Sequence, residues 1–218
     1  MSKWQLFVRV DDFEVETMHV SRLAWPDEVS GLVRVFEQLA SSEGWRPDGQ
    51  LHAYPNNSVY FAASDNCVIV GGLQLVVANG SDPLPSQYVW SEIDLSSRTD
   101  VAHALILALK KEYRGAYGLF EALTVEMWRY CVAAGITELW HEATPSTLRL
   151  YRRIGWPLEI VGDLRMHWGE ECYLCRMRTA EVAGNMAAKA IRSQSHKELL
   201  AMMIRSTDAP EVAASARI

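Results

Sequence analysis

The sequence has no long apolar run, no cluster of basic residues and few cysteines. No stretch reaches the roughly 18 apolar residues that suggest a membrane span, and the N-terminal segment lacks the apolar run of a signal peptide. We therefore expect a cytoplasmic protein without a membrane span. Lysine and arginine are not clustered in the way that a nucleic-acid footprint requires, so we expect no nucleic acid partner.

Cysteine occurs only four times, and one pair, Cys172 and Cys175, has CxxC spacing. Such a pair suggests a metal or redox site, but it is the only one in the chain. The intervening Tyr173 and Leu174 fit an alternating strand, which favours reduced thiols in the core. We therefore expect no metal.

The composition is that of an ordinary globular protein. The chain has 218 residues, of which 49% are hydrophobic and 22% charged, and this is enough to bury a core. We expect residues 1–178 to form a single domain and residues 179–218 to add a C-terminal helix and a loose tail. The first 100 residues carry 14 acidic and 6 basic side chains, so an anionic ligand should bind to the second half of the chain.

Apolar periodicity and turn residues predict an α/β fold. The predicted strands are 5–10, 59–63, 67–77, 88–95, 102–109, 137–142, 158–161 and 171–177. The predicted helices are 27–43, 119–134, 146–154 and 180–205. Within the third strand, Gly71-Gly72 is a candidate β-bulge.

One strand–loop–helix unit has the features of an anion site. The predicted strand 102–109 is followed by a loop at 114–119 that opens directly into a helix. The first N–H groups of a helix lack intrahelical partners and carry partial positive charge, and Arg114 adds a full charge. Gly115 and Gly118 allow a ligand to approach the backbone. The alternative is an ordinary strand–turn–helix connection in which the preceding lysines, Lys110 and Lys111, are merely solvated.

This unit resembles the coenzyme A signature of GNAT acyltransferases, R/Q-x-x-G-x-G/A. Residues 112–119 read EYRGAYGL, and their spacing is similar to the loops of a GNAT-like branch, the acyl-homoserine lactone synthases and N-acyl amino acid synthases. Residues 150–156, LYRRIGW, resemble the LYxxxGF end of a GNAT helix. The resemblance covers roughly residues 67–180. It implies an α/β (α+β) fold with a mixed, mostly antiparallel central sheet flanked by helices.

The resemblance also implies the site that holds the thioester, which is acyl-CoA or an acyl-phosphopantetheine used as substrate. The strand before the loop would bind the pantetheine, and the loop would bind the phosphates. The implied binding residues are Leu107, Leu109, Arg114, Gly115, Ala116, Tyr117, Gly118 and Leu119. Tyr151 matches the tyrosine that protonates the leaving thiolate, and a packed aromatic residue is the alternative.

Several residues are candidates for the base that deprotonates the amine. His103 stands where the lactone synthases carry the glutamate of an E-x-S-R segment, although a core histidine is the commoner environment. Glu92 and Asp94 alternate on the predicted strand 88–95, where surface carboxylates are the alternative. His141 and Glu142, at a strand end, either line the pocket or form a plain polar pair.

The serine and arginine of E-x-S-R are missing here, so the resemblance implies an acceptor other than that of the lactone synthases. We expect N-acyl transfer from acyl carrier protein or acyl-CoA to a small amine, with an amino acid as the expected acceptor. An acetyl-CoA-dependent N-acetyltransferase and a non-catalytic GNAT-like binding domain are the alternatives. Arg149, Arg152 and Arg153 either attract an acidic carrier protein or are merely solvated. The oligomeric state is left open.

Overall fold

The protein is described by a computed structural model that covers residues 4–7, 17–23, 28–115 and 118–204, with only the backbone of 4–7 and 17. Nine strands are present in this part of the chain: β1 Trp4–Phe7, β2 Thr17–Leu23, β3 Ser58–Asp65, β4 Val68–Val77, β5 Val101–Leu109, β6 Glu138–Ala143, β7 Glu159–Ile160, β8 Arg165–His167 and β9 Glu170–Arg178. The α-helices are α1 Val29–Glu43, α2 Leu119–Ala133, α3 Pro145–Ile154, α4 Thr179–Ala190 and α5 Gln194–Ile204.

Eight of the strands form one sheet in the order β1-β2-β3-β4-β5-β6-β9-β7, and β8 pairs with β9. Every strand pair is antiparallel except β5 with β6, which run parallel. The predicted fold, a mixed and mostly antiparallel central sheet flanked by helices, is therefore confirmed.

Helices cover both faces of the sheet. Helix α1 has apolar residues at three- and four-residue spacing, and its stripe packs against Tyr60, Ile106 and Ala108 on one face. Helices α2, α4 and α5 pack on the opposite face, against residues that include Phe61 and Leu73. We call these the α1 face and the α2 face. Among the described residues, no helix combines the length and the apolar character that crossing a membrane requires.

A register shift in the centre of the sheet determines which side chains of β5 share a face. Gln74 pairs with Ile106 and Leu75 with Ala104, so Leu105 is an extra residue in β5. Such a bulge interrupts the strict alternation of side chains. Consequently Leu105 and Ile106 both contact clusters on the α1 face, although they are neighbours in a strand.

The predicted bulge at Gly71-Gly72 is displaced by one residue. Ala63 pairs with Gly71 while Ser64 pairs with Ile69, so the extra residue is Val70. The two glycines instead allow close packing. A Cβ on Gly71 would collide with the carbonyl oxygen of Ala108, and a Cβ on Gly72 with that of Phe61.

The predicted strand 88–95 is wrong. Residues 85–88 form a 3₁₀ turn, and further turns follow, with Val89 N–H donating to Ser86 O and Ile93 N–H donating to Trp90 O. The apolar residues of this segment include Trp90 and Leu95, which insert into a buried cluster from an irregular backbone. The indole N–H of Trp90 donates to the carbonyl of Asp163, which anchors the segment without strand pairing.

The C-terminal segment also differs from the prediction, because two helices replace the single helix 180–205. Helix α4 ends at Ala190, and α5 begins after Ser193, whose carbonyl accepts from Lys197 N–H and whose hydroxyl contacts His196. Strands β2 and β8 were not predicted. Part of the predicted strand 5–10 and the predicted tail lie outside the described residues.

Candidate active site

The two parallel strands at the centre of the sheet separate and leave a cleft of about 130 Å³. They pair only over Val101–His103 and Glu138–Trp140. Beyond this point residues 104–107 of β5 form one wall of the cleft, and this edge of β5 has no strand partner within the described chain. Its backbone groups can therefore bind an extended ligand that inserts between the strands.

The cleft passes through the sheet and is lined from both faces. His141 and Glu142 are consecutive in β6, so their side chains point to opposite faces. On the α2 face the lining residues are His141, Thr144, Thr147 and Tyr151. On the α1 face they are Trp45, Glu142, His167, Trp168, Glu170 and Cys172.

On the α1 face, His103 and Glu142 form a buried pair. The Nε2–H of His103 donates to Oε1 of Glu142 at 3.0 Å, and the two side chains are 0% and 6% exposed. Burial raises the pKa of Glu142, but the charge and hydrogen bond of His103, with smaller contributions from His167 and a backbone N–H, outweigh it and lower the net pKa. The result is a carboxylate that stays ionised at neutral pH and borders the cleft.

On the α2 face, His141 and Tyr151 stack with ring centroids 4.8 Å apart and an interplanar angle of 29°. Burial lowers the pKa of His141 to about 4. The electrostatic interaction with Glu142 opposes this shift, and that with His103 adds to it. Burial also raises the pKa of Tyr151 above its usual value. At neutral pH the cleft therefore presents a neutral imidazole beside a neutral phenol, and the phenol can donate a proton.

Two aromatic residues, His167 and Trp168, form the wall opposite Glu142. Their ring centroids lie 5.2 Å apart with an interplanar angle of 23°. The indole N–H of Trp168 donates to Gln50 Oε1 at 3.0 Å. Trp168 has a positive φ of 51°, an uncommon conformation for a bulky residue. Its carbonyl accepts from Arg46 N–H at 3.1 Å, so neighbouring chain segments hold it in place. Burial lowers the pKa of His167.

The predicted phosphate loop leads from β5 to α2. Gly115 and Gly118 have φ of 72° and 63°, and no side chain caps the N-terminus of α2. Arg114 donates from Nε to Leu109 O at 2.8 Å and from Nη2 to Glu43 Oε1 at 2.7 Å. The guanidinium therefore fixes the loop, and part of its hydrogen-bonding capacity is used by Leu109 and Glu43. Ala116 and Tyr117 lie outside the described residues.

The structure brings some of the predicted site residues together and separates others. Tyr151 and Leu107 line the cleft, and fully buried His103 reaches it only through Glu142. The side chain of Leu109 is buried in the core, as is that of Leu119 at the first turn of α2.

Glu92 lies away from the cleft, on the surface, where Arg165 binds it at 2.6 Å and its side chain is 52% exposed. The expectation that Glu92 and Asp94 alternate on a strand is wrong, because this segment is irregular. Asp94 instead accepts hydrogen bonds from Ser96.

The cysteines of the CxxC pair face opposite sides of β9. Cys172 packs in the cluster around Trp90 on the α1 face, whereas Cys175 packs in the α2-face core. Burial raises the pKa of both thiols to about 12. A shared metal or a disulfide between them is not compatible with this geometry. The described residues contain no group of three or more His, Cys, Asp or Glu side chains that could hold a metal.

Few local patterns indicate the wall of the cleft on the α1 face. His167 and Trp168 lie at the β8–β9 turn, where the following Gly169 is the only local signal, and Trp45 lies in a loop some 120 residues earlier. These residues meet only because β8 folds back onto β9 and places Trp168 O against the backbone of Arg46.

The sequence matches no protein-family model and no curated protein. Solved structures do match, and they identify the fold as GNAT-like. FeeM, an N-acyl amino acid synthase from uncultured soil microbes, superimposes with a TM-score of 0.67 over 78% of this chain and 94% of its own, at 16% identity.

Two further structures agree. BjaI, a CoA-dependent acyl-homoserine lactone synthase, gives a TM-score of 0.64 over 86% of this chain and 90% of its own, at 15% identity. A Lactobacillus plantarum protein described as an N-acetyltransferase gives a TM-score of 0.55 over 74% of this chain and 98% of its own, at 13% identity. At such identities the likeness establishes the fold, as the sequence resemblance implied.

Proposed function

We propose that this chain is an N-acyltransferase that moves an acyl group from acyl-CoA or acyl carrier protein to a small amine by direct attack on the thioester. The observation that carries the proposal is the cleft between β5 and β6, which Glu142 and Tyr151 line from opposite faces of the sheet. This arrangement separates a base on one side of the reacting carbonyl from an acid on the other.

The thioester would enter from the α2 face. The unpaired edge of β5 at residues 104–107 supports hydrogen bonding to the pantetheine amides, and the N-terminus of α2 with its glycines supports binding of the phosphates. Binding in this groove holds the thioester carbonyl beside the amine, which lowers the entropic part of the barrier. No covalent enzyme intermediate is needed.

The amine would enter from the α1 face, where Glu142 attracts its ammonium form and accepts a proton. Glu142 passes this proton to solvent, and the free amine nitrogen attacks the carbonyl carbon. The C–S bond then breaks, the thiolate takes a proton from the Tyr151 hydroxyl, and Glu142 accepts the second proton that the nitrogen loses as the amide forms. Exchange with solvent restores the Tyr151 phenol and the Glu142 carboxylate. His103 is a positioning residue in this scheme, since it contacts Glu142 and is fully buried.

Helix α3, which carries Tyr151, also presents exposed arginines at 149, 152 and 153. This patch supports an acidic carrier protein as one acyl donor, because opposite charge steers association. Acyl-CoA and acyl carrier protein carrying the same acyl chain should therefore be compared at low and high salt, since only the carrier-dependent rate should fall steeply.

The test is amide formation by the purified full chain. Acyl-CoA donors of short, medium and long chain length are incubated with mixed small amines, and free CoA and new amides are quantified by mass spectrometry. Amide that disappears with Glu142→Gln and Tyr151→Phe supports the proposal. A CoA-dependent rise in thermal stability without amide indicates a non-catalytic binding domain, and absence of both overturns the proposal.

A further inference from the structure

The α1-face half of the cleft presents carboxylates but no lysine or arginine among its described lining residues, and His103, the partner of Glu142, is fully buried behind it. The carboxylates are those of Glu142 and Glu170, which project to the same face. Glu142 is the more important of the two, because its side chain is only 6% exposed and its charge is poorly screened.

Two arginines on the neighbouring strands β8 and β9 are already paired outside the cleft. Arg165 donates to Glu92 at 2.6 Å and contacts Asp163 at 2.8 Å. Arg176 contacts Glu159 at 2.7 Å. Neither guanidinium can turn to a ligand carboxylate without breaking these contacts.

Neutral donors on the lining are also committed. The Trp168 indole donates to Gln50, and the hydroxyls of Thr144 and Thr147 lie 2.9 Å apart and bond each other. The exceptions among the described lining residues include His141 on the α2 face, whose two buried ring nitrogens have no partner, and His167 on the α1 face, which is 8% exposed and whose buried Nε2 has none. The α1 half of the cleft therefore has the His167 imidazole to offer to a ligand carboxylate. A single imidazole is a poor match for the several acceptor sites of a carboxylate.

Aromatic surface surrounds the same carboxylate. Trp45, His167 and Trp168 form the wall on the α1 face, and the last two stack on each other. Aromatic faces attract cations and pack against flat apolar groups. A ligand with an ammonium group and an aromatic or apolar body therefore satisfies both features of this half of the cleft.

We propose that the acyl acceptor is a cationic amine without a carboxylate, of the aromatic monoamine class, and that zwitterionic amino acids are excluded. The inference rests on the proposed function and specifies its acceptor, and it departs from the amino acid expected from the sequence. An amino acid would bring its carboxylate beside Glu142 and Glu170, and no described lining residue is a lysine or arginine that could pair it, which is unfavourable next to the buried charge of Glu142.

Matched acceptor pairs test the proposal with the full chain and one acyl-CoA. Tyramine is compared with tyrosine and tryptamine with tryptophan, so that each pair differs only in the α-carboxylate. Tyrosine methyl ester has the bulk of the amino acid without the charge. We expect kcat/KM to favour each amine over its amino acid by on the order of 100-fold, and the ester to behave like the amine.

A charge variant separates electrostatics from shape. Glu170→Arg supplies the missing cation at the cleft and should raise kcat/KM for tyrosine by about 10-fold or more while lowering that for tyramine. Glu171→Arg, on the neighbouring position of the same strand, is the control and should change neither. Amino acids used as well as amines by the native chain would overturn this inference alone, whereas absence of any amide and of CoA binding would reject the proposed function and the inference together.

Discussion

Nε2 of His103 lies 3.0 Å from Oε1 of Glu142, and His103 belongs to the last residue pair that joins β5 to β6. The pair therefore lies where the cleft begins. His103 is fully buried and cannot touch a substrate, so its effect on chemistry must pass through Glu142.

Substitution of His103 should change the pH dependence of acyl transfer more than its maximum rate. His103→Leu leaves Glu142 buried without its partner, so burial dominates and raises the pKa of that carboxyl. Because the carboxylate is the active form, the acidic limb of the kcat/KM profile should move to higher pH. His103→Gln retains a hydrogen-bond donor and should return the acidic limb towards its position in the native chain. A limb that stays in place in His103→Leu would exclude Glu142 as the base.

Tyr151→Phe should lower kcat without unfolding the protein. The ring would keep its stacking on His141 and its packing against Phe120, whose ring centroid lies 5.3 Å away. The free energy of unfolding should therefore change by less than about 1 kcal/mol. Loss of a general acid typically costs about 10²–10⁴ in rate. Steady-state kinetics and urea unfolding measure the two effects. Tyr173→Phe, which packs against the same core, is the control, and a native kcat in Tyr151→Phe would exclude the acid role.

The exposed ion pair between Glu43 and Arg114 should limit binding of the anionic donor. Glu43→Gln releases Nη2 of Arg114 from its 2.7 Å contact, and we expect the Kd for CoA to fall by about 2- to 5-fold, in keeping with the energy of an exposed pair. Arg114→Ala should raise the Kd by about 10-fold, since the loop also loses the bond to Leu109 O.

Calorimetric titration measures both Kd values. Glu37→Gln, the same change elsewhere on α1, serves as the control because Glu37 pairs with His52 away from the loop. A Glu43→Gln variant that binds CoA more weakly than the native chain would show that the loop needs the ion pair more than it needs a free guanidinium.

Buried histidines at the cleft should make the fold sensitive to mild acid. The pKa of His141 falls from 6.5 to about 4 in the folded chain, so between these values the unfolded chain binds more protons. The contribution of neutral His141 to the free energy of unfolding, roughly 3 kcal/mol, is therefore fully present above about pH 6.5 and is lost as the pH falls towards 4. His167, whose pKa is also lowered, acts in the same direction.

Urea unfolding at pH 7 and pH 5 measures this loss. His141→Phe retains the ring that stacks on Tyr151 and should lose less stability between the two pH values than the native chain does. Exposed His52→Gln should behave like the native chain. An equal loss in His141→Phe would mean that other groups cause the acid sensitivity.

Local patterns predicted the elements that form the half of the cleft where we propose that the thioester binds. The apolar run of β5, the glycines before α2 and the position of Tyr151 on α3 are all visible in sequence, because each depends on a short segment. The predicted strand 88–95 is wrong because apolar residues such as Trp90 and Leu95 insert into a buried cluster of residues distant in sequence, without strand pairing.

The acceptor half could not be predicted, because it depends on contacts between segments far apart in sequence. Trp45 meets Trp168 through the backbone bond from Arg46, and Glu142 meets His103 only after β5 and β6 pair in parallel. The Leu105 bulge adds to the difficulty, since it reverses which face the later residues of β5 point to.

Gly72 should be among the least replaceable positions of the sheet. A Cβ there would meet the carbonyl oxygen of Phe61 and lie 2.8 Å from Cδ1 of Leu32, and a strand carbonyl held by its ladder cannot move away cheaply. We expect Gly72→Ala to destabilise the protein by about 1–3 kcal/mol in urea unfolding.

Gly184→Ala is the matched control, because that helical glycine has nothing within 4 Å of an added Cβ. It should stabilise the protein by about 0.5–1 kcal/mol, because alanine loses less backbone entropy in a helix. Equal effects of the two substitutions would show that the backbones of β3 and β4 adjust to the methyl group more readily than their pairing indicates.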